Sequence, residues 1–539
     1  MDVLLAVSPV IVIFLLMTVG RRTADVAGLL GWIYTALIAA YFFHTSWEVI
    51  LIASLAGIVA SFPISLMVVT SIFQINVMEE AGAIRRLVAF MKTLASENRA
   101  VQIMLINVGV GTLLAALGAT PVSILPPIML SLGYSAFVAV ALPAIGYDAL
   151  CTYALLGVPV VVFADVVSAI SGQTFTPAQV GLYFAQFMPV VTTLIALSML
   201  WLVGGWKEVR RGFWVALVTG LSAGFIAIGM NAAGLPTLTG VVAGIGVVLV
   251  MLLYIKLGRR PLIDRSALTD ADRTSERSMG LMLAVLPWIL LVAFSIFTNY
   301  RPLGLYDVLF SKFSMPVTVI PGERPQALRV LWQAYTWVLI ATIIAIPFYR
   351  MKQAQLRAAF AKTGRRVPRP AFAAAVFFAI AYVLNYSGKA AVLAGGVKTW
   401  QATAGSGNNM VYTVANASAH AFQGLYAGVA AYLGLLGGFI SGSETSSIVM
   451  LSKLHFDTVG LVYPHATGGK ALAIALLIAA VSGIGGGLAS VISPAKLQNA
   501  AAVIDRIGLE GKVIKSTVVI SLIMTFAVAL MAFIFLAWL

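Results

Sequence analysis

Apolar runs of about twenty residues recur from one end of this chain to the other, and no other feature limits its fold as strongly. A helix rises about 1.5 Å per residue, so roughly 20 apolar residues cross a hydrocarbon layer of about 30 Å. Twelve runs of this kind are read at 2–19, 25–43, 47–77, 134–168, 181–205, 212–231, 236–256, 280–298, 331–349, 371–393, 470–493 and 514–538. Only 10% of the 539 residues are charged and 61% are hydrophobic, whereas a soluble domain carries about 25% and 45–50%. An ordinary soluble enzyme is excluded. The expected fold class is an all-α polytopic membrane protein with about 12 transmembrane helices.

Two further apolar stretches, 101–131 and 411–453, are broken near their middles. The first run has no cationic residue before it and Arg21-Arg22 after it, so it reads as a retained span with the N-terminus outside. Threading twelve spans from that start makes 20–24, 78–100, 206–211, 256–279, 350–370 and 494–515 cytoplasmic and leaves the C-terminus outside as well. Those segments hold 26 of the 34 lysines and arginines, the asymmetry expected of a multi-pass protein of the plasma (inner) membrane. The net charge of +15 is thus a topology signal, and no nucleic-acid partner is expected. Counting either broken stretch as a single crossing would invert every later loop, so both are expected to be re-entrant hairpins. Segment 84–98 has the apolar and basic spacing of a helix lying along the inner interface, though a solvated connector fits equally well.

The order of elements repeats at half-chain scale. Residues 1–46 hold the N-terminal spans, and 47–205 a first repeat with a cytoplasm-facing hairpin (101–131). Residues 206–370 hold central spans and linker loops, and 371–539 a second repeat with an outward-facing hairpin (411–453). Each repeat also carries an interrupted span, at Gly146-Tyr147-Asp148 and at Gly483 to Gly487. An inverted repeat of this kind places broken helices at mid-membrane, where half-helix N-termini can hold an anion without a basic side chain.

Four polar clusters interrupt the apolar sequence. The first hairpin turns at Leu117 to Ser123, with Thr120 and Ser123 flanking Pro121, a helix-start pattern. The second contains Ser441-Gly442-Ser443-Glu444-Thr445-Ser446-Ser447, costly in hydrocarbon unless it has partners or a wet cavity. A hydroxyl-rich helix-packing contact is the alternative reading. Asn385-Tyr386-Ser387-Gly388-Lys389 forms a third cluster, with Lys389 counted inside a span. The Gly-rich run ending in Ser490, Ser493-Pro494 and Lys496 is the fourth. The expected substrate-binding residues are Thr120, Ser123, Asn385, Ser387, Ser443, Thr445, Ser446 and Ser447. Glu444, Asp148 and His420 are the candidates for proton coupling, since an intramembrane acid can bind and release a proton as its surroundings change from wet to dry. His44, His455 and His465 fall in expected outer loops. No metal-ligand spacing exists, and Cys151 is the sole cysteine, which rules out a disulfide within the chain.

Gly437-Gly438-Phe439-Ile440-Ser441-Gly442-Ser443-Glu444-Thr445-Ser446-Ser447 resembles the G-x-F-x-T-G-S-D-T-S-S-N signature of the L-lactate permease family. Asn385-Tyr386-Ser387-Gly388 is similar to its N-Y-S-G, and Ile492-Ser493-Pro494 with Gly508-Leu509-Glu510-Gly511-Lys512 to its I-S-P and G-L-x-G-K stretches. Gly118-Ala119-Thr120-Pro121-Val122 and Leu156-Gly157-Val158-Pro159 resemble its G-A-P-V and L-G-I-P segments. The departures are Glu444 for the usual Asp, Ile448 for Asn, an extra Thr120, and Asp148 in a stretch that is usually N-T-A-P. They fall in the expected site and bear on substrate rather than fold.

The resemblance implies a secondary transporter with a scaffold and a mobile unit moving elevator-fashion, importing lactate or glycolate with a proton. It implies no cofactor beyond that coupling ion and no enzyme activity. A small hydroxy acid and the lipid bilayer are the expected partners, and a homodimer is admitted. From the residues alone a sodium-coupled dicarboxylate carrier, a passive channel and a membrane-embedded lipid-modifying enzyme stay open.

Overall fold

The computed structural model describes residues 2–93, 98–117, 120–258, 265, 268–299, 304–322, 325–394, 397–403 and 409–539. Among them, ten helical stretches are long and apolar enough to cross a membrane, and six shorter apolar helices accompany them. The chain is therefore polytopic, but its runs do not map one to one onto twelve straight spans.

In the first half, α1 (Asp2–Thr18) and α2 (Ala24–Tyr41) precede α3 (Trp47–Ala60) and α4 (Phe62–Glu80). The run 47–77, expected as one span, divides at Ser61. Pro63 supplies no backbone N–H and so sits in the first turn of α4, where that donor is not needed. After α5 (Ala83–Thr93), the stretch Arg99–Ala116 combines α6 (Arg99–Ile103), a π-helical segment and α7 (Gly111–Ala116). It turns through Leu117 and Thr120 into α8 (Pro121–Ser131). Gly118 and Ala119, where the turn was expected, and residues 94–97 of the expected interfacial segment lie outside the described residues.

Next come α9 (Ala136–Asp148), a single 3-10 turn at Cys151–Tyr153 and α10 (Ala154–Ser171). The interruption expected at Gly146–Asp148 falls just beyond it, because α9 holds through Asp148. Leu155, Leu156 and Gly157 then carry φ of 53°, 56° and 74°. A left-handed residue other than glycine costs about 1–2 kcal/mol, so packing must hold this turn in place. After α11 (Pro177–Ala185), α12 (Met188–Ala232) turns at Gly204–Gly205. Residues 206–211, expected as a loop, are instead the helical start of its second limb. α13 (Thr239–Leu257) completes the half.

The middle of the chain forms α14 (Asp270–Ser278), α15 (Leu281–Ala284), α16 (Leu286–Asn299) and α17 (Leu305–Asp307). An antiparallel pair follows, β1 (Met315–Val317) with β2 (Gln326–Leu328), and then α18 (Ala334–Phe348), α19 (Gln353–Arg366) and α20 (Pro368–Tyr386). The basic segments there bind acids. Lys92 of α5 pairs with Asp272 of α14 at 2.8 Å. Lys362 and Arg366 of α19 pair with Glu79 at 3.2 Å each, and Arg366 also reaches Asp505 at 2.9 Å. Arg369 grips Asp25 at 2.8 Å.

Lys389 is not inside a span: it opens β3 (Lys389–Ala394), paired antiparallel with β4 (Val397–Ala402). The stretch 411–453 becomes α21 (Met410–Phe422), α22 (Tyr426–Ser441) and the first half of α23 (Glu444–Val462). Because α23 runs on to Val462, His455 is fully buried within it and not in an outer loop. Then follow α24 (Gly468–Gly487), α25 (Pro494–Ala502) and α26 (Glu510–Trp538). The Gly483 to Gly487 run does not interrupt its span. A Cβ at Gly438 of α22 would collide with the backbone of Gly486, and one at Gly485 with the carbonyl of Ala431. These glycines let two helix backbones touch, as small residues do in membranes. The break comes after them, at Leu488 to Ser493, and Pro494 restarts the chain as α25.

Candidate functional site

Four interruptions of helix meet in space: the turn before α8, the α9–α10 break, the α22–α23 turn and the α24–α25 break. They bound a cavity of roughly 100 Å³. Thr120, Tyr147, Cys151, Ser441 to Thr445, Ala495, Lys496 and Asn499 line its polar side. Pro63, Ile64, Met67, Val68 and Ala374 supply an apolar wall from α4 and α20. The N-cap residue Thr120 of α8 and first-turn residues of α23 (Glu444, Thr445) and α25 (Ala495, Lys496) line this space. Their free N–H groups carry partial positive charge.

Glu444 is the first residue of α23 and is only 3% exposed. Its Oε1 accepts a hydrogen bond from Thr152 at 2.6 Å, while its Oε2 has no partner among the described residues. A Cβ added at Gly487 would lie 2.6 Å from that Oε2 and 3.4 Å from the Cβ of Cys151, so only glycine leaves room for the carboxyl. Ser443 caps α23, accepting from the Ser446 amide at 3.3 Å.

Asp148, at the end of α9, is 3% exposed, and neither oxygen closes a well-formed hydrogen bond among the described residues. It faces Ser490, the Val491 amide and Lys496. Lys496 stands in the first turn of α25, with Nζ donating to Ser490 Oγ at 2.6 Å and lying 4.0 Å from the centre of the Tyr147 ring. Asn499, one turn on, donates to Ser123 Oγ at 2.8 Å, and Ser123 in turn meets Ser71 at 3.1 Å. The Oδ1 of Asn499 is buried without a partner among the described residues.

The expected site residues thus divide. Thr120, Ser443, Glu444 and Thr445 line the cavity. Asn385 and Ser446 line a second one of roughly 220 Å³ together with Thr445, which borders both. Ser123 stands behind the first cavity and reaches it through Asn499. Ser387 is buried, donating to the Leu384 carbonyl and accepting from the Met410 amide, each at 2.8 Å; it fastens α21 to α20. Ser447 donates to the Gly434 carbonyl at 3.1 Å and is fully buried, which is the helix-packing alternative realised at that one position. His420 is exposed on α21 and lines neither cavity.

Asn499 and Thr152 escaped the sequence reading, and Ser490 and Lys496, named in the fourth polar cluster, were not among the expected site residues. Lys496 was counted with the last cytoplasmic loop. One signal could have found it: a lysine three residues into a helix begun by Ser493-Pro494 opposes the helix dipole, and a cation so placed needs a partner. The half-helix N-termini were expected to hold an anion without a basic side chain; Lys496 sets one beside them.

A pocket walled by broken helices and lined by a buried carboxyl and an ammonium, with a second buried carboxyl behind it, fits a polytopic membrane protein of the transporter class. Comparison with known proteins agrees. The L-lactate permease family model matches residues 2–539, and the chain belongs to that family. It is 24% identical to the L-lactate permease of Streptococcus iniae over 84% of this chain and 89% of that one. It is also 24% identical to glycolate permease GlcA of Escherichia coli (strain K12), over 97% and 93% of the two chains. The L-lactate permease of Bacillus subtilis (strain 168) is 22% identical over 99% and 95%.

Proposed function

We propose that this transporter imports a small 2-hydroxymonocarboxylate, lactate or glycolate, together with a proton across the plasma membrane. The observation that carries the reading is Glu444, a buried carboxyl lining a small cavity at the N-terminal ends of three helices. Helix N-termini suit a carboxylate, and the hydroxyls of Thr120, Ser443 and Thr445 suit the substrate's own hydroxyl. A buried carboxyl lining the cavity, with one oxygen held by Thr152 and the other without a partner among the described residues, is placed to take up a proton when substrate enters and release it when water does. The relatives' names, permeases for L-lactate and glycolate, support the substrate class.

The working motion is an elevator movement between inverted repeats, 47–205 and 371–539. Two features support it: the backbone-close packing of α22 on α24, which makes a rigid unit, and the largely apolar wall of α4 and α20 facing the polar helix ends. The two helix turns at the cavity serve as the tips of hairpins 101–131 and 411–453 in this reading, with both termini outside.

The test is counterflow in proteoliposomes: labelled L-lactate inside-out exchange against unlabelled L-lactate, D-lactate, glycolate and a dicarboxylate. Exchange with the hydroxymonocarboxylates and none with the dicarboxylate is expected. Sodium-dependent exchange of the dicarboxylate alone would overturn the reading.

A further inference from the structure

Lys496 is the charged side chain of the cavity lining to which the proposed reading gives no role. Its ammonium rests on a serine hydroxyl and an aromatic face, both neutral. Among the described residues it closes no salt bridge, although two carboxyls face it from α9 and α23. A cation on the N-terminal turn of a helix is further disfavoured by the dipole. No carboxylate of the described structure closes on the ammonium, which leaves room beside it for an anion that is not part of the protein.

Resting on the proposed function, we propose that Lys496 receives the substrate's carboxylate, and that Glu444 serves as its counter-charge only while the site is empty. In an apolar enclosure the favoured states are those with no net charge. With the site empty, an ionised Glu444 balances Lys496. When the substrate carboxylate takes over that role, Glu444 must accept a proton for the sum to stay at zero. Release of the anion on the other side returns the proton to water as Glu444 again becomes the counter-charge. Asp148 does not line the cavity and is neutral in both states of this cycle. Tyr147, Cys151, Thr152 and Ser490 complete the polar surroundings and stay neutral. One proton therefore accompanies each anion, and the cycle moves no net charge.

The experiment compares wild type, Lys496→Gln, Lys496→Arg and Asp148→Asn in proteoliposomes, reading the substrate KM in lactate counterflow and the response of uptake to an imposed membrane potential. Removing one member of a buried charge pair costs enough to raise KM at least about thirtyfold in Lys496→Gln, and the uptake that remains at saturating substrate becomes sensitive to potential. Lys496→Arg keeps the charge, so its uptake stays insensitive to potential, as does that of wild type and Asp148→Asn. Lys496→Arg answers the question even if the Gln variant fails to fold. A wild-type KM in Lys496→Gln, or potential-driven uptake by wild type or Lys496→Arg, would overturn the proposal while leaving lactate transport standing. Absence of any wild-type counterflow with lactate or glycolate would overturn the underlying function instead.

Discussion

The hydroxyl of Thr152 donates to Oε1 of Glu444 at 2.6 Å across 292 residues of sequence. One group belongs to the break in the first half of the chain and the other to the helix turn in the second. The bond fixes which way the carboxyl points, leaving Oε2 beside Gly487. A hydrogen bond to an ionised partner contributes about 1.5–3 kcal/mol. Thr152→Val should therefore slow pH-gradient-driven uptake by roughly tenfold or more, by the usual 1.4 kcal/mol per decade, whereas Thr152→Ser should keep most of it. Initial rates of labelled lactate uptake check both.

Two glycine substitutions should separate the site from the scaffold. Gly487→Ala would press its methyl against Glu444 Oε2, at 2.6 Å, and against the Cys151 Cβ. Gly438→Ala would press against the backbone of Gly486, which cannot rotate away. Overpacking costs about 1–3 kcal/mol, and the second variant should take the larger share as lost thermal stability. Gly487→Ala should lose transport with a smaller drop in melting temperature. Thermal unfolding in detergent, measured beside counterflow, distinguishes them.

Ser387 lies in the N-Y-S-G stretch yet spends its hydroxyl on the Leu384 carbonyl and the Met410 amide. Ser387→Ala should lower thermal stability, by about 1 kcal/mol as for a lost helix cap, and leave the substrate KM unchanged. Asn385→Ala, in the wall of the larger cavity, should raise KM with little effect on stability.

Much of this was legible from residue order. The polytopic class followed from run length and charge scarcity, and of the polar turn Ser441 to Thr445 line the cavity while Ser446 and Ser447 do not. Other features were not legible, for physical reasons. Gly483 to Gly487 signals a break and a close helix contact equally well, and only the facing Ala431 and Gly434 decide between them. Ser446 and Ser447 are neighbours in sequence, but helical geometry turns one to a cavity and the other into a packed interface. Lys496 carries the same charge as the lysines that set topology, and its place in the cavity depends on a partner helix far away in sequence. His455 looked like a loop residue because α23 outruns the apolar segment that announced it.

In the short helix α14, Asp272 lies below its ordinary pKa of 3.8. Burial alone would raise it, but hydrogen bonds from Lys92 and Thr269 and the charge of Lys92 outweigh that. A depressed carboxyl stabilises the folded state above its unfolded pKa and loses that contribution as pH falls through the folded one. The α5–α14 contact should therefore hold at neutral pH and loosen below about pH 3.8. Amide exchange of α5 should quicken there, and Asp272→Asn should show the same quickening already at pH 7.

The central claim is that Glu444 couples a proton to the inward movement of a hydroxymonocarboxylate. The most direct test is accumulation of labelled L-lactate or glycolate in sodium-free proteoliposomes, driven only by a pH gradient acidic outside, for wild type and Glu444→Gln. Wild type should accumulate substrate above equilibrium and lose it when the gradient is collapsed. Glu444→Gln should fail to accumulate while retaining part of its exchange. Normal accumulation by Glu444→Gln, or none by wild type until sodium is added, would contradict the account.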